Sequence, residues 1–282
     1  MKTASGDIRT SSSSAGILLR QWRDIRGKTQ LDLSFDAGIS QKHISFVESG
    51  RSIPSRQTLL DLAQALDVPL RERNELLTAA GYAPLYPDSA LDAPAMSSIS
   101  KALRRMLRQH EPFPALVLDR YWNVVMTNDA TPQFFSRFVD LAARPSPRNL
   151  LHLMFDPKGL RPFVANWPET ARGLMGRVVR EALGHVIDDK TKALLAELSQ
   201  YSGVKPEWKV PSPGDVVPMI PLCFVKDAVT LNYFSMVATV GTPQTVTAEE
   251  LRLECMFPAD EATEARHSKF ISAVSPRGTA RH

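Results

Sequence analysis

Apolar residues recur at helical spacing through the first part of the chain. Leu33 and Ala37 lie four apart, Gly38 interrupts the run, and Ile39, Ile44 and Val47 supply the inward positions of a second short segment. Gly, Ser and Pro divide residues 15–82 into short pieces, which predicts a five-helix, all-α domain. Residues 1–14 carry five serines and no apolar period, so a disordered tail is expected there. Residues 83–100 are rich in proline and aperiodic, and read as a linker.

Beyond the linker the periods change. Ile99, Leu103, Met106 and Leu107 lie opposite Lys101, Arg104, Arg105 and Arg108, predicting one amphipathic helix. The stretch ALVLDRYWNVVMTN predicts two strands around a turn near Asp119 and Arg120. A longer helix is expected after Trp167, with Pro168 in its first turn. Its apolar stripe runs through Ala171, Leu174, Met175, Val178, Val179, Ala182, Leu183 and Val186. LCFVKDAVTLNYFSMV predicts a hairpin turning at Lys226 and Asp227. After it Leu251, Leu253, Cys255 and Phe257 alternate with Arg252, Glu254 and Met256 as in a strand. Residues 101–274 therefore form an α+β domain with about five strands, followed by a tail at 275–282.

Composition agrees with two domains: 282 residues, 43% hydrophobic and 23% charged, which excludes disordered and fibrous classes. No apolar stretch reaches the roughly 20 residues of a membrane span, and no signal peptide is visible, so a cytoplasmic protein without membrane contact is expected. The net charge of +4 permits an anionic partner without naming one.

Position is more informative than total charge. Two short helices meeting at a tight turn form a helix-turn-helix, whose second helix fits a major groove about 12 Å wide. With Ile44 and Val47 inward, Gln41, Lys42, Ser45 and Phe46 face outward. Gln suits an adenine edge, Lys a guanine, and an exposed Phe a thymine methyl. Thr29, Gln30, Ser49 and Arg51 are placed to contact phosphates of double-stranded DNA and fix register. Two alternatives stand beside this. Such a fold also serves as a protein-interaction module, and Phe46 can instead close the domain's own core. Residues 15–56 hold seven basic against four acidic groups.

GILLRQWRDIRGKTQLDLSFDAGISQKHISFVESGRSIPSRQTLLDLAQALDVP resembles the XRE family of bacterial helix-turn-helix regulators. The matching positions are Arg23, Gln30, Leu33, Ala37, Gly38, Ile39, Ile44, the run Glu48 to Arg51, and Pro54. The resemblance implies a lambda-repressor-like fold and an ion pair between Arg23 and Glu48. Leu31 and Asp32 depart from the family, which commonly has a small residue and a glutamate there. Because one such domain covers a half-site, a homodimer is expected.

In the second domain the usual catalytic signatures GxSxG, HExxH, GxGxxG and GxxxxGK[ST] are absent, and no catalytic residue is assigned. His152 with Asp156, and His185 with Asp188 and Asp189, have ligand spacing but only as pairs, so no metal is expected. Cys223 and Cys255 lack CxxC spacing and are expected as buried thiols. A mixed sheet with helices can enclose an apolar cavity. Candidate linings are Phe134, Phe135, Phe138, Phe163 and Trp167, then Met175 and Val178, and on late strands Phe224, Leu231 and Tyr233.

PALVLDRYWNVVMTNDATPQFF and FDPKGLRPFVANWPETARGLMGRVVREA resemble the MmyB-like regulators, in scattered positions such as Pro114, Asp119, Trp122, Val124, Asn128, Asp156 and Trp167. That likeness implies a PAS-like ligand-binding domain with a five-stranded antiparallel sheet and a small apolar, fatty-acid-like effector rather than a cofactor. The alternatives are an enzyme on a small lipid-like substrate with the first domain localising it, and a second domain that binds a protein partner.

Overall fold

The computed structural model describes residues 5–183, 188–209 and 219–272. It separates into two units, Met1–Ala90 with Glu181–Asp188 and Thr242–Glu249, and Leu91–Arg180 with Asp189–Gly241 and Glu250–His282.

The first unit carries α1 (Ser5–Ile25), α2 (Gln30–Ala37), α3 (Gln41–Glu48), α4 (Arg56–Ala65) and α5 (Leu70–Ala79). Helix α1 starts at Ser5, well ahead of the order expected from Ala15. Serine is a modest helix former, but extending a helix already anchored by buried Ala15, Leu19 and Trp22 costs only tenths of a kcal/mol per residue. Thr29 and Asp32 form a reciprocal capping box at the start of α2, so the aspartate at this position does a capping glutamate's work. Gly38 ends α2 in the left-handed region (φ 66°), where a side chain would be strained, and Ser40 caps α3 through the His43 amide. Leu19, Trp22, Leu33, Ile44, Val47 and Leu62 close the core.

Part of the expected linker is ordered. Asn74 on α5 accepts hydrogen bonds from the amides of Leu85 and Tyr86 and donates to the Tyr86 carbonyl. The first unit also takes in 242–249, where α11 (Val246–Glu250) begins. The Glu249 carboxylate accepts the Leu70 amide at 2.6 Å, at the start of α5, and the Val246 amide donates to Pro87 O at 2.9 Å.

The second unit contains α6 (Ser97–Gln109), α7 (Ala130–Phe135), α8 (Leu150–Phe155), α9 (Trp167–Leu183), α10 (Asp189–Gln200) and α12 (Glu261–Ser272). Its strands are β1 (Ala115–Leu118), β2 (Val124–Thr127), β3 (Pro221–Lys226), β4 (Val229–Thr239) and β5 (Arg252–Pro258). They form one five-stranded sheet in the order β2-β1-β5-β4-β3, and every pairing is antiparallel. The β3–β4 turn falls on Asp227 and Ala228, one residue later than expected. Lys226 pairs with Val229, so the two residues between them take positive φ (49° and 61°), as a tight right-twisted hairpin requires. On α6, Leu103 and Leu107 are buried but Met106 is exposed, leaving a narrower apolar stripe than the sequence suggests.

The stripe of α9 is buried at Ala171, Leu174, Met175, Val178, Val179 and Ala182. Val186, His185 and the tail at 275–282 lie outside the described residues. On β5 the alternation misleads. Leu253 is buried, and so are Glu254 and Met256 from the opposite face. The strand sits between β1 and β4, where both faces are covered.

His267 of α12 is fully buried. Its Nε2 lies 2.8 Å from Pro112 O and its Nδ1 2.5 Å from the Tyr233 hydroxyl. A neutral ring satisfies both contacts, donating from Nε2 and accepting at Nδ1. Burial holds its pKa below 6.5, so the unfolded chain binds the proton more tightly than the folded one. Stability from this group is then present above about pH 6.5 and declines as pH falls through and below that value. Melting temperatures taken between pH 7.5 and 5 are expected to drop more steeply for the natural chain than for His267→Gln. Parallel profiles would refute the assignment.

Candidate nucleic-acid interface and ligand cavity

In the first unit a buried polar cluster sets the pose of α3. Arg23 on α1 grips Glu48 at the end of α3 with two bonds, Nε to Oε1 at 2.7 Å and Nη2 to Oε2 at 3.1 Å. Gln30, opening α2, donates Nε2 to the same Oε2 at 2.8 Å. Three helices thus converge on one carboxylate whose side chain is 4% exposed. The pairing of Arg23 with Glu48 raises the guanidinium pKa further above its usual range. Gly16 completes the contact, because a Cβ there would lie 2.3 Å from Val47 O. Sequence reasoning passed over Gly16, since nothing local marks a helical glycine as a point of close approach.

On the outer side of α3, Gln41 and Lys42 are exposed while Ser45 and Phe46 are half-exposed. Phe46 does not join the core. Its ring lies 5.7 Å from Lys42 Nζ and 4.9 Å from the Arg51 guanidinium, so two cations flank one aromatic face region. Neither Lys42 nor Arg51 has an acidic partner among the described residues. Helix α3 and the turn after it therefore offer an amide, two cations and an aromatic ring together, a set suited to base edges and phosphates.

The flanking residues differ in what they have free. The Thr29 hydroxyl is engaged with Asp32, donating to Oδ2 at 2.7 Å. Gln30 holds Glu48 with its amide nitrogen, so any phosphate contact falls to its remaining atoms. Ser49 donates to Ser45 O at 2.7 Å and accepts from Arg51 Nε at 2.9 Å, which orients the exposed arginine.

In the second unit an apolar cavity lies between the sheet and helices α7, α8 and α9. Leu116, Phe224 and Met256 of the sheet line it, with Phe135, Met154 and Leu174 from the helices. Its free volume is about 30 Å³ as it stands, room for roughly one water. Of the sequence candidates only Phe135 and Phe224 line it. Phe134, Phe138, Trp167, Met175, Val178, Leu231 and Tyr233 are buried core, and Phe163 packs half-buried against them. Aromatic content marks core and cavity equally, because both are apolar and enclosed.

Among the lining residues that sequence reasoning missed are two polar ones, Ser235 and Glu254. The Glu254 side chain is 7% exposed, and its Oε2 lies 3.7 Å from Arg177 Nη1. His152 pairs with Glu197 (3.1 Å) and Tyr201 (3.0 Å) rather than Asp156, which Arg144 holds at 2.5 Å. Cys223 and Cys255 are half-buried, and burial raises both thiol pKa values, the latter also through Glu254. No helix among the described residues is long and apolar enough to cross a membrane.

A helix-turn-helix unit joined to an α+β unit with an apolar pocket is the build of a ligand-modulated, DNA-binding transcription regulator. Family comparison agrees on both parts: a helix-turn-helix model matches residues 19–73, and the MmyB-like transcription regulator ligand binding domain matches residues 99–269. The chain belongs to the MmyB-like transcription regulators, with an XRE-like helix-turn-helix at its N-terminal end. No curated protein matches it.

Proposed function

We propose that the chain reads double-stranded operator DNA as a homodimer through α3, and that a small apolar effector in the second unit shifts its DNA affinity. The observation that carries the reading is the outward grouping of Gln41, Lys42 and Phe46 on α3 with Arg51 just beyond its end, the helix being clamped from behind by Arg23, Glu48 and Gln30. Gln41 and Lys42 specify bases, while Arg51, steadied by Ser49, holds a phosphate. One unit covers a half-site, so a pair of chains on half-sites about one helical turn apart supplies the affinity.

Regulation follows from linkage. An effector changes DNA affinity only by as much as it discriminates between two arrangements of the dimer, typically about 1–3 kcal/mol. The chain supplies a direct path for this: residues 242–249, tied to the start of α5 by Glu249, run straight into β5, which carries Glu254 and Met256.

Selection of bound fragments from random DNA tests the reading. The natural chain should return two related half-sites. Gln41→Ala and Lys42→Ala should each relax one position at a cost of about 1–3 kcal/mol, whereas Arg51→Ala should weaken all sequences alike and flatten the salt dependence. Selection of single, unpaired sites, or unchanged base preference in both α3 variants, would defeat it.

A further inference from the structure

We infer that the exposed face of α6 is a second DNA contact, in which Lys101, Arg104, Arg105 and Arg108 hold backbone phosphates of the duplex flanking the half-site that α3 reads. The inference rests on the reading of the chain as a DNA-binding regulator and adds a contact from its second unit. The four cations occupy positions i, i+3, i+4 and i+7, which at 3.6 residues per turn fall within an arc of about 100° of the helix. All four are exposed. They span about 10.5 Å along the axis, close to three phosphate steps of one DNA strand. The helix SSISKALRRMLRQ holds no acidic residue, and among the described residues none of the four has a carboxylate partner.

Such a stripe is unfavourable in the free protein. Lys101 with Arg104 and Arg105, and Arg108 with the same two arginines, set like charges three or four positions apart, which destabilises a helix. Surface cations elsewhere meet carboxylates, as Lys28 meets Asp36 at 2.8 Å and Arg71 meets Asp88 at 2.7 Å. The acids nearest α6 are placed otherwise. Asp92 shares a shallow surface pocket with Lys101 and Arg104 without pairing to either, and the Glu111 carboxylate accepts the Asp129 amide at 2.8 Å. The basic face cannot turn inward, because Leu103 and Leu107 opposite it are buried and the His110 ring after the last turn lies 2.7 Å from Met256 O of β5. Duplex DNA, with a charge at every phosphate, complements this face. A second copy does not, since two such stripes repel. An anionic membrane fits poorly: the apolar side of α6 is packed into its own unit, and Met106 is its one exposed large apolar side chain.

Fluorescence anisotropy of the full chain on the duplex selected from random DNA, across a salt series, tests this beside a variant carrying Lys101→Gln, Arg104→Gln, Arg105→Gln and Arg108→Gln. Each phosphate contact contributes about 0.9 to the slope of log affinity against log salt, so the variant should flatten the slope by about 2–4 and bind at least about tenfold more weakly at low salt. Base preference should stay as it is, since α3 is untouched. Trimming the duplex to its bare half-sites should weaken the natural chain by a similar factor and leave the variant unaffected. If the variant does not fold, the trimming arm on the natural chain decides alone. An unchanged slope, or a natural chain indifferent to trimming, overturns the α6 contact while leaving the α3 reading intact. If the variant loses only binding to phosphatidylglycerol vesicles, the face serves a membrane and the DNA contact is overturned. A natural chain that binds no duplex overturns both.

Discussion

Arg23→Ala is expected to destabilise the helical unit by about 3–5 kcal/mol, the range for removing one partner of a buried ion pair. Glu48 is the reason. Its side chain is 4% exposed, and without the guanidinium it keeps only the Gln30 amide. Urea unfolding followed by far-ultraviolet circular dichroism reads the loss as an early helical transition. DNA affinity should fall for every sequence together, because α3 loses its brace and not its base contacts. The converse variant sharpens the argument: replacing both partners, Arg23→Met with Glu48→Leu, should recover most of the stability, since an apolar pair of similar volume leaves no orphaned charge. An Arg23→Ala chain with unaltered unfolding would show that the bidentate pair contributes nothing.

Gly16→Ala should also be damaging, and here two effects oppose. Alanine favours a helix over glycine by about 1 kcal/mol. Against that, the added Cβ would lie 2.3 Å from Val47 O and 2.9 Å from Glu48 O, backbone atoms at the end of α3 that cannot rotate aside. Overpacking of this kind costs about 1–3 kcal/mol, so the clash wins. Relief by tilting α3 would move Gln41 and Lys42 off their bases, and specific DNA affinity should drop by more than stability does. Gly176→Ala on α9 is the matched control, because its Cβ would meet only the movable end of Arg180 at 3.4 Å. It should be neutral or stabilising. Equal behaviour of the two alanine variants in thermal melts and DNA titrations would remove the close-approach argument.

The two units were legible to different degrees. In the helical unit nearly every functional feature depends on residues three or four apart: the inward Ile44 and Val47, the cap of Thr29 and Asp32, the left-handed Gly38. Such relations are written in local spacing, and the resemblance of the run through Glu48 to Arg51 supplied one long-range contact, the bond to Arg23, but not the bond from Gln30 to the same carboxylate. What local spacing left out is Gly16, whose neighbour is 31 positions away along the chain and next to it in space.

The α+β unit reversed this balance. The strands and the two longest amphipathic helices were readable from their periods, and the resemblance implied the five-stranded antiparallel sheet, but α7, α8, α10 and α12 were not read and the alternation of β5 misled. The cavity was not readable. Its wall combines Leu116 of β1, Leu174 of α9 and Met256 of β5, and no period along the chain separates these from ordinary core.

By itself, then, the sequence determined the helix-turn-helix, the residues that face outward from α3, and a second unit of mixed helices and strands, because periodicity and capping act within a few residues. Tertiary structure alone decided that Glu254 points inward. On an isolated strand its alternation assigns it to water; paired to Leu116 on one side and Val237 on the other, beneath helices, it becomes a buried carboxyl facing a cavity.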